Sequence, residues 1–224
     1  MAARVVTMAM AMASAGFSVI PVRAEGKAPS IPTWSPYQQA IMPDAEISKH
    51  FNQRSQIAVV CGKVSGGLEV IDFDTAGKSG VPEWYLNWIQ AVKHANPELY
   101  DKLAVASTPS GGRHVFYQCP EAVEGNQKLA STDQGLVMIE TRGNGGYVLV
   151  APSTNYEWVL GDWLTIPVIT PDERDFLFCV ARALAPVPKD IVKWENTVRH
   201  THEGRPGDRY NDETNVRDLL IEAG

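Results

Sequence analysis

The sequence predicts an α+β domain in which short β-strands, joined mainly by hairpin turns, are covered by a few helices. Between residues 56 and 160, short apolar runs with β-branched residues alternate with glycine-rich turns, which is typical of antiparallel strands. Helices are predicted at 82–95 and 170–184. A length of 224 residues and a hydrophobic content of 44% suit one sizeable domain with an ordinary core, alone or followed by a tail.

The first fifteen residues fit two interpretations. A basic residue near the start, an apolar middle, and Ala13 and Ala15 before a cleavage point are typical of a secretory signal peptide. The same run is rich in alanine and methionine, which favour a helix, and Gly16 follows where helices commonly end. The helix is the favoured interpretation, and a strand over 17–21 follows it.

The next predicted elements are a loop, a short helix and two strands. A loop rich in glycine and proline, 22–34, carries Lys27, and a short helix is predicted over 43–51. The apolar run 56–61 predicts a buried strand. A turn of about six residues, 62–67, leads from it into the run 67–74, so these two strands are predicted to form a hairpin.

The two longer helices have clear signals. Helix 82–95 places its large apolar residues on one face, which indicates core packing rather than a stacking platform; these residues are Trp84, Trp88, Ile89 and Val92. Helix 170–184 begins with a capping box, since Thr170 stands at the N-cap and Glu173 three positions later.

Three acidic residues lie at the ends of predicted strands. Asp72 and Asp74 end the strand 67–74, and positions two apart in a strand project to the same face. Such a pair repels unless a cation lies between the carboxylates, and Mg²⁺ or Mn²⁺ favours such oxygen ligands. Glu140 ends the strand 135–140 in the same way. If the three strand ends lie in one sheet, their carboxylates converge and suit two divalent cations that bridge a nucleoside triphosphate.

Two glycine-rich turns supply groups that complement phosphate. The loop 108–114 contains Gly111 and Gly112, whose backbone N–H groups can line an anion, followed by Arg113 and His114. A second such turn follows Glu140 and contributes Arg142. Each of these residues has an ordinary alternative role, such as a solvated turn arginine or a hydrogen-bonded strand histidine. The whole set indicates a metal and phosphate site more specifically than any single residue does.

The order of these groups resembles a known family. Asp-x-Asp, then a small residue two positions before His114, then an apolar residue before Glu140, is similar to the three motifs of the archaeo-eukaryotic primase superfamily. The particular residues of these motifs resemble those of the bifunctional primase–polymerase branch found in plasmids, phages and prophages. The resemblance covers about residues 2 to 185, and four pieces carry it in order: 27–34, 62–74, 108–117 and 139–153.

The resemblance implies a primase-like catalytic core with an RRM-like antiparallel palm sheet, helices behind it and an N-terminal α/β unit. The implied activity is that of a template-dependent nucleotidyltransferase, a DNA primase and DNA polymerase that makes and extends primers with two Mg²⁺ or Mn²⁺ ions. Asp72, Asp74 and Glu140 match the metal ligands, and His114 matches the histidine that contacts the incoming nucleotide. Further nucleotide-binding candidates are Arg142, Arg113, Ser110 and Lys27. No zinc-binding insertion is visible.

The resemblance also implies an organisation and a set of partners. Residues 1–185 are expected to form the catalytic domain, and 186–224 a C-terminal extension or linker toward a helicase or accessory module that the sequence lacks. Within it, 203–211 is linker-like and 212–222 is predicted to be helical. The expected partners are single-stranded DNA template, primer, and dNTP or NTP. Three widely separated cysteines and the lack of a membrane-length apolar run favour a cytoplasmic protein.

Other functions remain open at this stage. The net charge of −6 does not favour binding to nucleic acid in general, although a local basic groove is compatible with it. A glycosyltransferase also uses Asp-x-Asp, but needs a Rossmann-like half that the first 70 residues do not predict. A nicking initiator needs a His-x-His pair on a strand, whereas His200 and His202 lie in the tail. A nucleic-acid-binding palm that has lost activity is the non-enzymatic alternative.

Overall fold

The computed structural model describes residues 2–78 and 80–186, with side chains from residue 5 onward. The helices are α1 (Ala2–Ser14), α2 (Asp44–His50), α3 (Glu83–Ala95), α4 (Pro97–Lys102) and α5 (Pro171–Ala183). The strands are β1 (Val19–Val22), β2 (Gln56–Val60), β3 (Leu68–Phe73), β4 (Ala104–Ser107), β5 (Arg113–Gln118), β6 (Lys128–Ser131), β7 (Val137–Arg142), β8 (Tyr147–Leu149) and β9 (Glu157–Leu160). The predicted helix at 212–222 lies outside the described residues.

The strands form two antiparallel sheets. The larger has six strands in the order β6-β7-β3-β5-β4-β9, and the smaller has three in the order β1-β2-β8. The strand that carries Asp72, β3, lies inside the larger sheet between β5 and β7. The predicted α+β class, with an antiparallel sheet backed by helices and an N-terminal α/β unit, is confirmed.

The alternation of side chains along β3 divides the larger sheet into two faces. Ile71 and Phe73 belong to a core formed with α3, α4 and α5. Leu68 and Val70 belong to a second core that includes β1, β2, β8 and buried residues of α1 and α2. Asp72 continues this second series, so its side chain faces the N-terminal unit rather than the helices of the first core.

The predicted hairpin between the second and third strands is wrong. β2 pairs with β1 and β8 in the smaller sheet, whereas β3 pairs with β5 and β7 in the larger one. Only one isolated bridge, between Gly62 and Leu68, connects the two runs. The local pattern of apolar residues predicts that both strands exist. Which strands they pair with depends on the sheet in which all five residues of β2 can be buried.

The helix signals were accurate. Ala9 and Met12 of α1 are buried, and Gly16 adopts a left-handed φ of +93° after its end. Both hydrogen bonds of the capping box at Thr170 are formed. On α3, Trp88 and Val92 are fully buried. The sequence analysis missed α4 and β6, which are short. No helix in the described part is long and apolar enough to cross a bilayer.

Candidate active site

Three of the predicted site residues form one row across the larger sheet. Asp72 of β3 lies directly opposite His114 of β5 on one side and Glu140 of β7 on the other. Residues directly opposite in antiparallel strands project to the same face, about 4.5–5.5 Å apart at Cβ. Three side chains far apart in sequence therefore meet on the face that looks toward the N-terminal unit.

His114 is the most enclosed member of this row. Its imidazole Nε2 lies 3.5 Å from Asp72 Oδ1, and its side chain is 7% exposed. The rings of Phe116 and Tyr156 lie beside it, with centroids 5.9 and 6.0 Å from the imidazole. Its other nitrogen, Nδ1, is buried without a hydrogen-bond partner among the described residues. The imidazole is thus held by packing and by Asp72.

Arg142 lies between the two carboxylates of the row. Its guanidinium donates a hydrogen bond to Glu140 Oε1 and lies 3.9 Å from Asp72 Oδ2. Arg142 and Glu140 are two positions apart on β7, so both project to the same face. One arginine cation therefore offsets part of the negative charge of two carboxylates.

The charges around Asp72 set its protonation state. Burial by itself raises the pKa of the Asp72 carboxyl, but His114, Arg142 and Lys27 act against it, and the pKa is lowered overall. The carboxylate is therefore ionised at neutral pH and is ready to act as a ligand or a hydrogen-bond acceptor.

A cavity of about 270 Å³ opens over Asp72 and His114. Asp72, His114 and Arg142 line its sheet side, and Lys27 enters from the loop after β1. The Tyr147 hydroxyl donates a 2.9 Å hydrogen bond to the carbonyl oxygen of Lys27. The cavity thus combines three cationic or potentially cationic side chains with one carboxylate, which is suited to an anionic ligand that brings its own cation.

The remaining predicted residues, Glu140 among them, do not line this cavity. Asp74 lies one residue beyond β3, where its Oδ1 accepts a hydrogen bond from the Ala76 backbone N–H, and its side chain lines a separate groove of about 670 Å³. Arg113 alternates with His114; its guanidinium bonds the carbonyl oxygens of Gly111 and Gly112. Ser110 hydrogen-bonds the Thr108 hydroxyl. The structure therefore does not bring the Asp74 carboxylate to Asp72 and Glu140.

Comparison with known proteins shows the family to which the chain belongs. The family model described as "Bifunctional DNA primase/polymerase, N-terminal" (Prim-Pol) matches residues 9–189. The chain belongs to the Prim-Pol family. The match confirms the resemblance found in the sequence and, with the mixed antiparallel architecture, the archaeo-eukaryotic primase-like fold class. No curated protein matches the chain.

The donor set of the Prim-Pol domain is suited to a hard divalent cation. Asp72 and Glu140 offer carboxylate oxygens from adjacent strands, the ligands that Mg²⁺ and Mn²⁺ prefer. The guanidinium of Arg142 now provides the positive charge between them. Within the described residues, no three His, Cys, Asp or Glu side chains are already arranged around a common ion position.

The sequence analysis missed three residues that line the cavity of the Prim-Pol domain: Asn126, Tyr147 and Tyr156. Asn126 precedes β6, and its Oδ1 accepts a hydrogen bond from the Gly143 backbone N–H. Burial raises the pKa of Tyr156 to about 12, with a further contribution from the charge of Asp72. None of the three carries a charge or completes a motif. Only the position of Tyr147 after the glycine turn could have indicated proximity to the site.

Proposed function

We propose that this Prim-Pol domain is a template-dependent nucleotidyltransferase that makes and extends primers on single-stranded DNA by two-metal catalysis. Family membership supports primase/polymerase activity in general. The observation that carries the finer proposal is the row of Asp72, His114 and Glu140, in which Asp72 and His114 line a cavity with basic side chains. Carboxylates beside cationic phosphate-binding groups are what transfer of a nucleotide to a 3′-hydroxyl requires.

The carboxylates have the role of metal ligands in this proposal. Asp72 and Glu140 would hold Mg²⁺ or Mn²⁺, and Asp74 would join them through a carboxylate that now caps the turn at Ala76. The bound cations would favour deprotonation of the attacking 3′-hydroxyl and stabilise the pyrophosphate that leaves.

The basic side chains bind and orient the triphosphate. His114 donates to a phosphate oxygen, and its close packing fixes the direction of that donor. When the Glu140 carboxylate holds a cation, the guanidinium of Arg142 would turn from Glu140 and bond the phosphates instead. Lys27 lines the same cavity and adds a positive charge near Asp72. Arg113 and Ser110, which bond the loop 108–112 in the structure, would maintain that loop or reach the nucleotide only after a rotamer change.

The wider context is part of the same proposal. The substrates would be dNTP or NTP, with template and primer as nucleic-acid partners. The domain would occupy residues 1–185, and residues 186–224 would lead toward a helicase or accessory module, as in replication proteins of phages and plasmids. This context follows from the sequence resemblance.

Purified protein is expected to extend a labelled primer on a single-stranded template when Mg²⁺ or Mn²⁺ is present, and to lose this activity completely in EDTA. Parallel reactions with dNTP and NTP, with and without primer, measure extension and initiation separately on sequencing gels. Re-addition of the metal after EDTA should restore activity, which controls for damage to the protein. Extension that continues in EDTA would contradict the metal mechanism. Failure of the wild type under every condition would favour a nucleic-acid-binding module without activity.

Tyr147→Phe is expected to raise the KM for the nucleotide about 3- to 10-fold with little change in kcat, because it removes the one hydrogen bond that ties the Lys27 backbone to β8. The size follows from a net hydrogen-bond contribution of about 0.5–1.5 kcal/mol. Trp34 packs edge-on against the Tyr147 ring, with centroids 5.0 Å apart, and this packing is retained in Phe. Steady-state extension kinetics give both constants.

The same change in a Lys27→Met background provides the control. If Tyr147 acts by placing Lys27, its loss should have almost no additional effect once the lysine charge is gone. Equal effects of Tyr147→Phe in both backgrounds would show that the tyrosine acts independently of Lys27.

A further inference from the structure

Tyr156 is a buried side chain whose hydroxyl has no hydrogen-bond partner among the described residues. The residue is 5% exposed, and its ring lies beside the His114 imidazole at 6.0 Å between centroids. Among residues 2–78 and 80–186, no group accepts from or donates to its hydroxyl within hydrogen-bond distance, and that oxygen is not enclosed in the core. The hydroxyls of Tyr117 and Tyr147, in contrast, are bonded to Glu69 and Lys27.

The cavity beside Tyr156 provides space for a ligand that bonds the Tyr156 hydroxyl. Tyr156 lines the same 270 Å³ cavity as Lys27, His114 and Arg142. Typical small-molecule sites enclose about 300–1,000 Å³, so this cavity encloses part of a nucleotide rather than all of it. Its basic lining indicates that the enclosed part is the phosphates, whose oxygens accept hydrogen bonds from a phenol. A phenol is protonated at neutral pH and therefore serves as a donor.

We propose that Tyr156 is a further nucleotide-contacting residue, whose hydroxyl donates a hydrogen bond to a phosphate oxygen of the incoming nucleotide. The inference rests on the proposed function, because it places the triphosphate in the cavity over Asp72 and His114. Tyr156 adds a neutral hydrogen-bond donor to the charged groups of the cavity, from the segment that follows β8.

Tyr156→Phe tests the proposal, since it removes one hydroxyl and keeps the ring against His114. Calorimetric titration in Mg²⁺ measures the affinity for dATP and, separately, for inorganic tripolyphosphate. A hydrogen bond to a charged acceptor predicts that both dissociation constants rise about tenfold. Tyr100→Phe, the same chemical change on α4 in the other core, should leave both affinities unchanged. Thermal unfolding of both variants should match the wild type.

The possible results separate this inference from the proposed function. If the wild type binds both ligands and Tyr156→Phe binds them equally well, the assigned contact is wrong while the triphosphate site stands. If only dATP binding weakens, the hydroxyl contacts the sugar or base, and the phosphate assignment is overturned. If the wild type binds neither ligand, the proposed nucleotide site fails and the inference fails with it.

Discussion

Asp72→Asn is expected to lower the rate of primer extension by at least about a thousandfold while the fold remains intact. Asparagine keeps the shape of the side chain but replaces the anionic oxygen that would bind a cation at the centre of the row. A loss of this size corresponds to about 4 kcal/mol of transition-state stabilisation, within the several kcal/mol that a bound metal supplies. Single-turnover extension with saturating nucleotide measures the chemical step directly.

Asp101→Asn is the matched control for this change. Asp101 is an exposed residue of α4, so the same loss of one carboxylate there should leave the rate within about twofold of the wild type. Circular dichroism and thermal unfolding should show that both variants fold. An Asp72→Asn protein that extends primers at the wild-type rate would remove Asp72 from the site and the two-metal proposal with it.

Asp74 and Glu140 refine the same test. Glu140→Gln should also cause a large loss, because Glu140 lies directly opposite Asp72. Asp74→Asn should reduce the rate at least about tenfold if the carboxylate turns from the Ala76 N–H to a cation, although asparagine can still accept that backbone hydrogen bond. Full activity in Asp74→Asn would limit the ligand set to Asp72 and Glu140 without affecting their assignment.

Arg174→Met is expected to lower the free energy of unfolding by about 3–5 kcal/mol, because it leaves the carboxylate of Glu69 buried without its cation. Arg174 Nε and one terminal nitrogen bond the two Glu69 oxygens at 2.6 and 3.0 Å, and both side chains are almost completely buried. The Tyr117 hydroxyl donates to the same carboxylate, and the guanidinium lies over the Phe178 ring. Urea unfolding monitored by tryptophan fluorescence measures the loss.

Two further variants identify the mechanism of that loss. Lys49→Met removes a cation from an exposed pair with Glu46, and should cost less than about 1 kcal/mol. Glu69→Leu combined with Arg174→Met should cost at least about 2 kcal/mol less than the sum of the single changes, because neither charge is then left unpaired. Additive losses would show that the two residues contribute independently.

Alternation along a strand accounts for the positions of several predicted site residues, and it would have excluded Arg113 from the row. Asp72, His114 and Glu140 were chosen because each lies at a strand end beside a glycine turn, and the structure places them in one row. The same alternation places Arg113, next to His114, on the opposite face. Asp74 failed to join the row for a different reason. β3 ends at Phe73, so the period of two no longer governs the direction of its side chain.

The sequence by itself determined the local features of this protein: the α+β class, the capped helix α5, the helix α1 ending at Gly16, and the order of motifs that identifies the family. Most of these features depend on neighbours within a few residues along the chain, and the order of the motifs is read directly from the sequence. Tertiary structure alone decided that β2 and β3 enter different sheets, that Tyr147 holds Lys27 from 120 residues away, and that Arg174 pairs with Glu69 across 105 residues. Such contacts form only when the two sheets and their helices pack together, so their partners depend on the packing free energy of the whole domain.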